Sequence, residues 1–180
     1  MTVSGVDPLV YTTRWRVRSY EIDRNGHVNN AVYLSYAEAV TVEHAELSGY
    51  GRAWAEAHGG GWVVRRSQVE HLRPAVLGDE LELTVRVELV RGVRGLRRTL
   101  ISRLPDREPV AEVLTEWVWV RSSDGRPARV PEELVEVAAG VTAATLRDRG
   151  RPGRRGRPDP GSRGEGRPTP DPSLTPGPGP

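Results

Sequence analysis

An acid, an amide and an imidazole stand at alternate positions in the run Asp23-Arg24-Asn25-Gly26-His27, and two more amides, Asn29 and Asn30, follow just before a helical pattern begins. A carboxylate can attack an electrophilic carbonyl or activate a water that does, with an imidazole or amide to orient it. A helix start adds backbone N–H groups without intrahelical acceptors and the positive end of the helix dipole, which can hold a carbonyl oxygen as it gains charge. Asp23, Asn25 and His27, with the N–H groups of the helix start, are therefore the candidate catalytic groups, for chemistry at a carbonyl. Spacing alone leaves plainer roles open. Asp23 can stabilise its own turn, His27 can be an ordinary loop histidine, and the asparagines can be ordinary turn and cap residues.

Other chemistries lack their residues. The chain has no cysteine, which removes disulfides, thiolate metal sites and a cysteine nucleophile. Asp23-Arg24-Asn25-Gly26 begins like a calcium loop, but the glycine comes too early and the later ligands are missing. The four histidines, at 27, 44, 58 and 71, have no metal-ligand spacing. There is no His-Glu-x-x-His, no Gly-x-Ser-x-Gly and no phosphate-binding glycine loop. No metal and no cofactor is expected.

The elements that must position these residues follow from periodicity. Residues 11–20 alternate as a strand, and a polar turn spans 21–30. A helix over 30–48 carries Tyr33, Tyr36, Ala37, Val40, His44 and Leu47 on one stripe, with Asn29 or Asn30 to cap it and Gly49 to end it. Glu43 lies near the edge of that stripe. Arg52 to His58 adds a short helical turn. After Gly59-Gly60-Gly61 the period changes to two, with strands over 62–73, 81–89, 96–104 and 110–120. Asp124-Gly125 breaks the last strand, and Pro131 opens a short helix. The last four strands can pair as an antiparallel meander, with the helix on one face. The expectation is one α+β domain over residues 1–140, an antiparallel sheet of about five strands around one long helix. Association of copies would protect its edges and tryptophans.

Composition sets the remaining bounds. All 26 basic residues are arginine. Residues 147–180 hold eight arginines against four acids, while the first 146 residues carry a net −2. The body is therefore close to neutral, and no nucleic-acid partner is expected. Nine prolines and seven glycines in the last 30 residues predict a disordered tail over 147–180. No apolar run is long enough to cross a membrane and the N-terminus does not read as a signal peptide, so the expected setting is cytoplasmic.

The string Tyr20-Glu-Ile-Asp-Arg-Asn-Gly-His-Val-Asn-Asn-Ala-Val-Tyr-Leu-Ser-Tyr-Ala-Glu38 resembles the acyl-CoA thioesterases of the 4-hydroxybenzoyl-CoA thioesterase-like hotdog family. Its His-Val-Asn-Asn core is also similar to that of plant acyl carrier protein thioesterases. The resemblance implies a hotdog fold, a homodimer or homotetramer with sites between subunits, and hydrolysis of an acyl thioester on coenzyme A or an acyl carrier protein. It makes Asp23 the nucleophile or general base and the Asn30 backbone N–H the donor to the thioester carbonyl. Asn25 and His27 become orienting partners, and Tyr33 and Tyr36 helix positions near the acyl pocket. The phosphates of such a carrier call for positive charge, which Arg91 to Arg98, and Arg91 and Arg94 first among them, can supply. The sequence departs from the plant pattern where those enzymes carry a downstream Glu-Cys pair. Here the region reads Arg73-Pro74-Ala75. Two other readings stand beside hydrolysis: binding of an acyl thioester or carrier protein without cleavage, and interaction through the arginine-rich tail.

Overall fold

The computed structural model of the chain describes residues 5–149. Strand β1 (Val10–Arg16) precedes the long helix α1 (Val32–Leu47) and the short helix α2 (Arg52–Ala57). Strands β2 (Gly60–His71), β3 (Glu80–Arg91), β4 (Arg94–Arg103) and β5 (Glu108–Arg121) follow, then helices α3 (Glu132–Val137) and α4 (Ala139–Arg149). The strands form one antiparallel sheet in the order β1-β3-β4-β5-β2. A sheet of this order around α1 is the expected α+β hotdog arrangement.

The expected four-strand meander holds only for β3, β4 and β5. Strand β2 crosses to the far edge and pairs with β5 instead of β3. Its end is held there by the Leu72 and Arg73 N–H groups, which both donate to the Val110 carbonyl. Because α1 joins β1 on one edge to β2 on the other, it must cross the sheet. Its stripe of Tyr33, Tyr36, Ala37 and Val40 packs on Leu81, Leu83, Val85, Ile101, Val110 and Val113. Removal of this apolar surface from water holds helix to sheet. The stripe stops short of its expected end, since Leu47 remains 40% exposed.

Boundaries shift where side chains compete with the backbone. Strand β1 stops at Arg16 rather than residue 20, because the chain tightens into a 3-10 turn over Ser19–Glu21. Helix α1 starts at Val32 rather than residue 30. The Asn29 side-chain oxygen accepts the Ala31 N–H at 2.9 Å, and its carbonyl accepts the Val32 N–H at 2.8 Å. That local turn delays the helix. Gly49, at φ +85°, ends it in the left-handed region.

A second apolar cluster forms at the other end of the sheet from Val87, Val90, Trp119, Leu134 and Ala138. Trp54 and Trp62 pack against Trp119 with ring centroids 5.7 and 5.3 Å away, so these rings share a core within one chain. Helix α4 has no counterpart in the sequence reading. Thr142 accepts the Val90 N–H at 2.9 Å and Thr145 donates to the Glu88 carbonyl at 2.7 Å, beside the bulge of β3 between Val87 and Leu89. The helix runs past residue 140 and takes in 147–149. The rest of the expected tail lies outside the described residues.

His44 is fully buried on α1, stacked on Tyr11, with its Nε2–H donating to the Asp7 carbonyl at 2.8 Å. Burial holds its pKa below the ordinary value; the Asp7 carbonyl opposes that shift and the nearby Arg97 cation adds to it. The unfolded chain therefore binds the proton more readily than the fold. Stability from this group is complete above about pH 6.5 and declines as pH falls from there through the lowered native value. The melting temperature should drop as pH falls below about 6.5. His44→Gln should flatten that dependence, and an equally steep slope in the variant would assign it to other groups.

Candidate active site

The loop from Glu21 to Asn30 is strapped at both ends. Ile22 and Val28 face each other in an isolated antiparallel bridge. The Asn29 N–H donates to the Glu21 carbonyl at 2.9 Å, and the Asp23 N–H to the His27 carbonyl at 2.9 Å. Buried Val28 anchors the loop to the segment after β2, its N–H donating to the Ala75 carbonyl at 2.8 Å. Gly26, at φ +79°, makes the tip. These bonds bring Asp23, Asn25, His27 and Asn30 onto one short loop at the start of α1.

Asp23 is half-buried. One carboxylate oxygen accepts the Asn25 N–H at 2.8 Å, the turn-stabilising role that spacing left open. Its other oxygen has no partner among the described residues. The Asn25 and His27 side chains are exposed. At the helix start, the Ala31 and Val32 N–H groups are both satisfied by Asn29. The Asn30 N–H finds no acceptor among the described residues. A carboxylate oxygen and a backbone donor, both unengaged, thus flank one loop. That is the minimum equipment for attack on a carbonyl whose oxygen is held.

A residue that sequence reasoning passed over organises this loop. Glu21 is 5% exposed. Its carboxylate accepts the Tyr36 hydroxyl at 2.8 Å, the Arg18 N–H at 2.7 Å and the Trp15 Nε1–H at 3.2 Å. It ties β1, the loop and α1 together. Its signal in the sequence was an acid between Tyr20 and Ile22, which alone does not separate a buried carboxylate from a surface one.

Tyr33 and Tyr36 are core residues, 2% and 1% exposed. Within one chain they support the loop. The Tyr36 hydroxyl is engaged by Glu21, and the Tyr33 oxygen accepts the Ala75 N–H at 3.4 Å. Burial raises the pKa of both phenols, and for Tyr36 the adjacent Glu21 raises it further, so it remains a donor.

Arg91 and Arg94 are not brought to this loop. They sit at the β3–β4 turn, while Asp79 and Ala75 mark the loop's end of the sheet. The length of β3, about 36 Å at ~3.3 Å per residue, separates the two. Arg94 pairs with Glu116 at 3.4 Å on the outer face of the sheet. Arg98, also on that face, pairs with Glu88 and Glu112. Among the described residues no group of three His, Cys, Asp or Glu side chains is arranged to hold a metal. No helix among them is long and apolar enough to cross a membrane.

An antiparallel sheet curled on one helix, with a carboxylate-bearing loop at the helix start, defines a hotdog protein. Residues 17–138 match the family model of the thioesterase-like superfamily. The chain belongs to that superfamily, and the expected family and class of enzyme are met at that level. It is 32% identical over 124 residues to the long-chain acyl-CoA thioesterase FadM of Escherichia coli, covering 69% of this chain and 93% of that one. It is 30% identical over 119 residues to the chloroplastic acyl-acyl carrier protein thioesterase ATL2 of Arabidopsis thaliana, covering 66% of this chain and 63% of that one. Among solved structures, a thioesterase from Thermus thermophilus complexed with coenzyme A and Zn aligns with a TM-score of 0.61 at 32% identity, covering 77% of this chain and 98% of that one.

Removing the Tyr36 hydroxyl leaves the Glu21 carboxylate buried and short of a donor. Hydrogen bonds to a charged group contribute about 1.5–3 kcal/mol. Tyr36→Phe should lose about that much in urea denaturation, together with part of the loop's order. Full stability in the variant would show that the strap does not depend on this bond.

Proposed function

We propose that this chain hydrolyses an acyl thioester carried on coenzyme A or an acyl carrier protein, releasing the free acid and the thiol. The observation that carries this reading is that an Asp23 carboxylate oxygen and the Asn30 N–H, on one strapped loop, both lack a partner among the described residues. The thioester carbonyl oxygen takes the Asn30 N–H, supported by the positive end of α1. The Asp23 carboxylate attacks the carbonyl carbon, or takes a proton from a water that attacks it. The tetrahedral centre collapses with loss of the thiolate. If Asp23 itself is the nucleophile, water then opens the resulting anhydride. His27 and Asn25, exposed on the same loop, orient the water and protonate or hold the leaving group.

The named activities of the Escherichia coli and Arabidopsis relatives support both carrier types. The coenzyme A complex of the Thermus thermophilus thioesterase supports coenzyme A in particular. Association of copies belongs to the same proposal. Strand β2 is an edge strand with Val63 51% and Val64 44% exposed, a surface suited to covering by a second copy. Arg91 and Arg94 would then serve the phosphates of a substrate whose carbonyl lies at another protomer's Asp23, since both arginines lie far from their own.

Thiol release from acyl-CoAs of graded chain length, and from aryl thioesters, tests the reading. Wild type should release thiol, and Asp23→Ala should lose at least about 10²–10⁴-fold in kcat with its melting temperature kept. Asp23→Asn, which keeps shape and removes charge, should be nearly as impaired. Turnover retained in both variants would take Asp23 out of the mechanism. Saturable binding without release by wild type, on coenzyme A and carrier-protein substrates alike, would make the domain a thioester-binding protein.

A further inference from the structure

A cavity of about 420 Å³ lies at the C-terminal half of α1, within the range of small-molecule sites. It is separate from the Asp23 loop. Its walls include Leu9, Val42, Trp62, Val87 and Leu134, and they are largely apolar. Into this wall the sheet sets one cation. Arg97 pairs in register with Thr115, and Gly95 with Trp117, so Arg97 and Trp117 are diagonal neighbours on the sheet face turned toward α1. Both line the cavity.

Arg97 lies beneath α1 with weak partners. Its guanidinium donates to the Thr41 carbonyl at 3.3 Å and lies 3.5 Å from His44 Nδ1. Among the described residues no carboxylate comes within 4.0 Å of it, although Arg94 and Arg98 on the opposite face both have acidic partners. Burial lowers its pKa to about 10, so it remains a cation at neutral pH. Beside it, the Trp117 Nε1–H is buried with no acceptor among the described residues. Buried charges are normally paired, and buried donors normally satisfied. Here a charge and a donor, both short of acceptors, share one patch of an apolar cavity.

We infer that this cavity binds an amphiphilic carboxylate, its head on the Arg97 guanidinium and its aliphatic body along the apolar wall. A carboxylate fits the guanidinium fork and brings one negative charge to one uncompensated cation. A phosphate dianion fits less well. Glu46 stands at the rim, and the other arginine of the lining, Arg52, already pairs with Glu56 at 2.7 Å. The carboxylate has two possible sources, a free fatty acid or the far end of a carboxyl-terminated acyl group. The site stands without the hydrolase reading, and only the second source rests on it.

Calorimetric titration of the full chain with octanoate and with octanamide separates charge from chain. Octanoate should bind saturably and at least about tenfold more tightly than the neutral amide, with a change in tryptophan fluorescence from the rings lining the cavity. Arg97→Met should bind the two ligands equally. It should also melt no lower than wild type without ligand, because it removes a half-buried cation that has no acidic partner among the described residues. Arg97→Lys should keep part of the preference. No saturable binding to wild type, or equal binding of octanoate and octanamide, overturns the inference whether or not the variants fold. A preference for octanoate that survives in folded Arg97→Met overturns it too. Kinetics then identify the source. Faster release from an ω-carboxyacyl-CoA than from the methyl-ended acyl-CoA of equal length, lost in Arg97→Met, places the carboxylate on the substrate. Equal rates, with octanoate altering turnover in wild type but not in Arg97→Met, identify a free acid. If no thioester is cleaved, the hydrolase reading fails while the titration still decides this one.

Discussion

The loop at the start of α1 depends on one buried carboxylate. Glu21 takes hydrogen bonds from Trp15 on β1, from the Arg18 backbone and from Tyr36 on α1, while its own carbonyl accepts the Asn29 N–H. A buried charge of this kind is tolerated only when donors surround it. Meeting that requirement forces β1, the loop and the helix into one arrangement. Asp23 also holds the loop, its N–H donating to the His27 carbonyl and one carboxylate oxygen accepting the Asn25 N–H. With the loop set from behind, the other Asp23 carboxylate oxygen and the Asn30 N–H have no partner among the described residues, and the proposed substrate would meet them there.

The sheet divides the molecule into two ends with different demands. Near the loop, the core is a close fit of Tyr33, Tyr36 and Val40 on the short branched side chains of β3 and β5. At the other end the bulge in β3 and the arrival of α4 change the packing. Trp54, Trp62 and Trp119 stack edge to face and leave a cavity beside Arg97 and Trp117. The two ends thus differ in packing, one filled by aromatic and aliphatic side chains and the other open around a cavity. Arg97, with no acidic partner among the described residues, sets a cation at the roomier end.

Much of this was legible from residue order. The alternation of Leu81, Leu83, Val85 and Val87 marks β3, and the spacing of Tyr33, Tyr36, Ala37 and Val40 marks the buried face of α1. The run from Asp23 to Asn30 marks the candidate site because its residue types are local and consecutive. The rest depends on contacts that cross the chain. Nothing local tells β2 to pair with β5 rather than β3, since both neighbours offer an antiparallel edge. Glu21 and Arg97 read as surface charges. Only the 3-10 turn at Ser19–Glu21 and the register of β4 against Thr115 turn them inward. Strand β4 alternates poorly in composition, with Leu96 and Leu100 outward and Arg97 inward, so period alone misassigns its faces. The arginines at 94, 97 and 98 look like one cluster in the sequence, but the pleat splits them between two sides of the sheet. Helix α4 carries a weakly apolar pattern, Ala139 to Arg149, that only its contacts with β3 reveal as part of the domain.

The proposed roles of Asp23 and Asn30 are best tested by a crystal structure with a non-hydrolysable acyl-CoA in which a methylene group replaces the thioester sulfur and the carbonyl is kept. The carbonyl oxygen should lie about 2.7–3.1 Å from the Asn30 nitrogen, with the Asp23 carboxylate facing the carbonyl carbon directly or through one water. A bound analogue whose carbonyl lies away from both residues would contradict those roles.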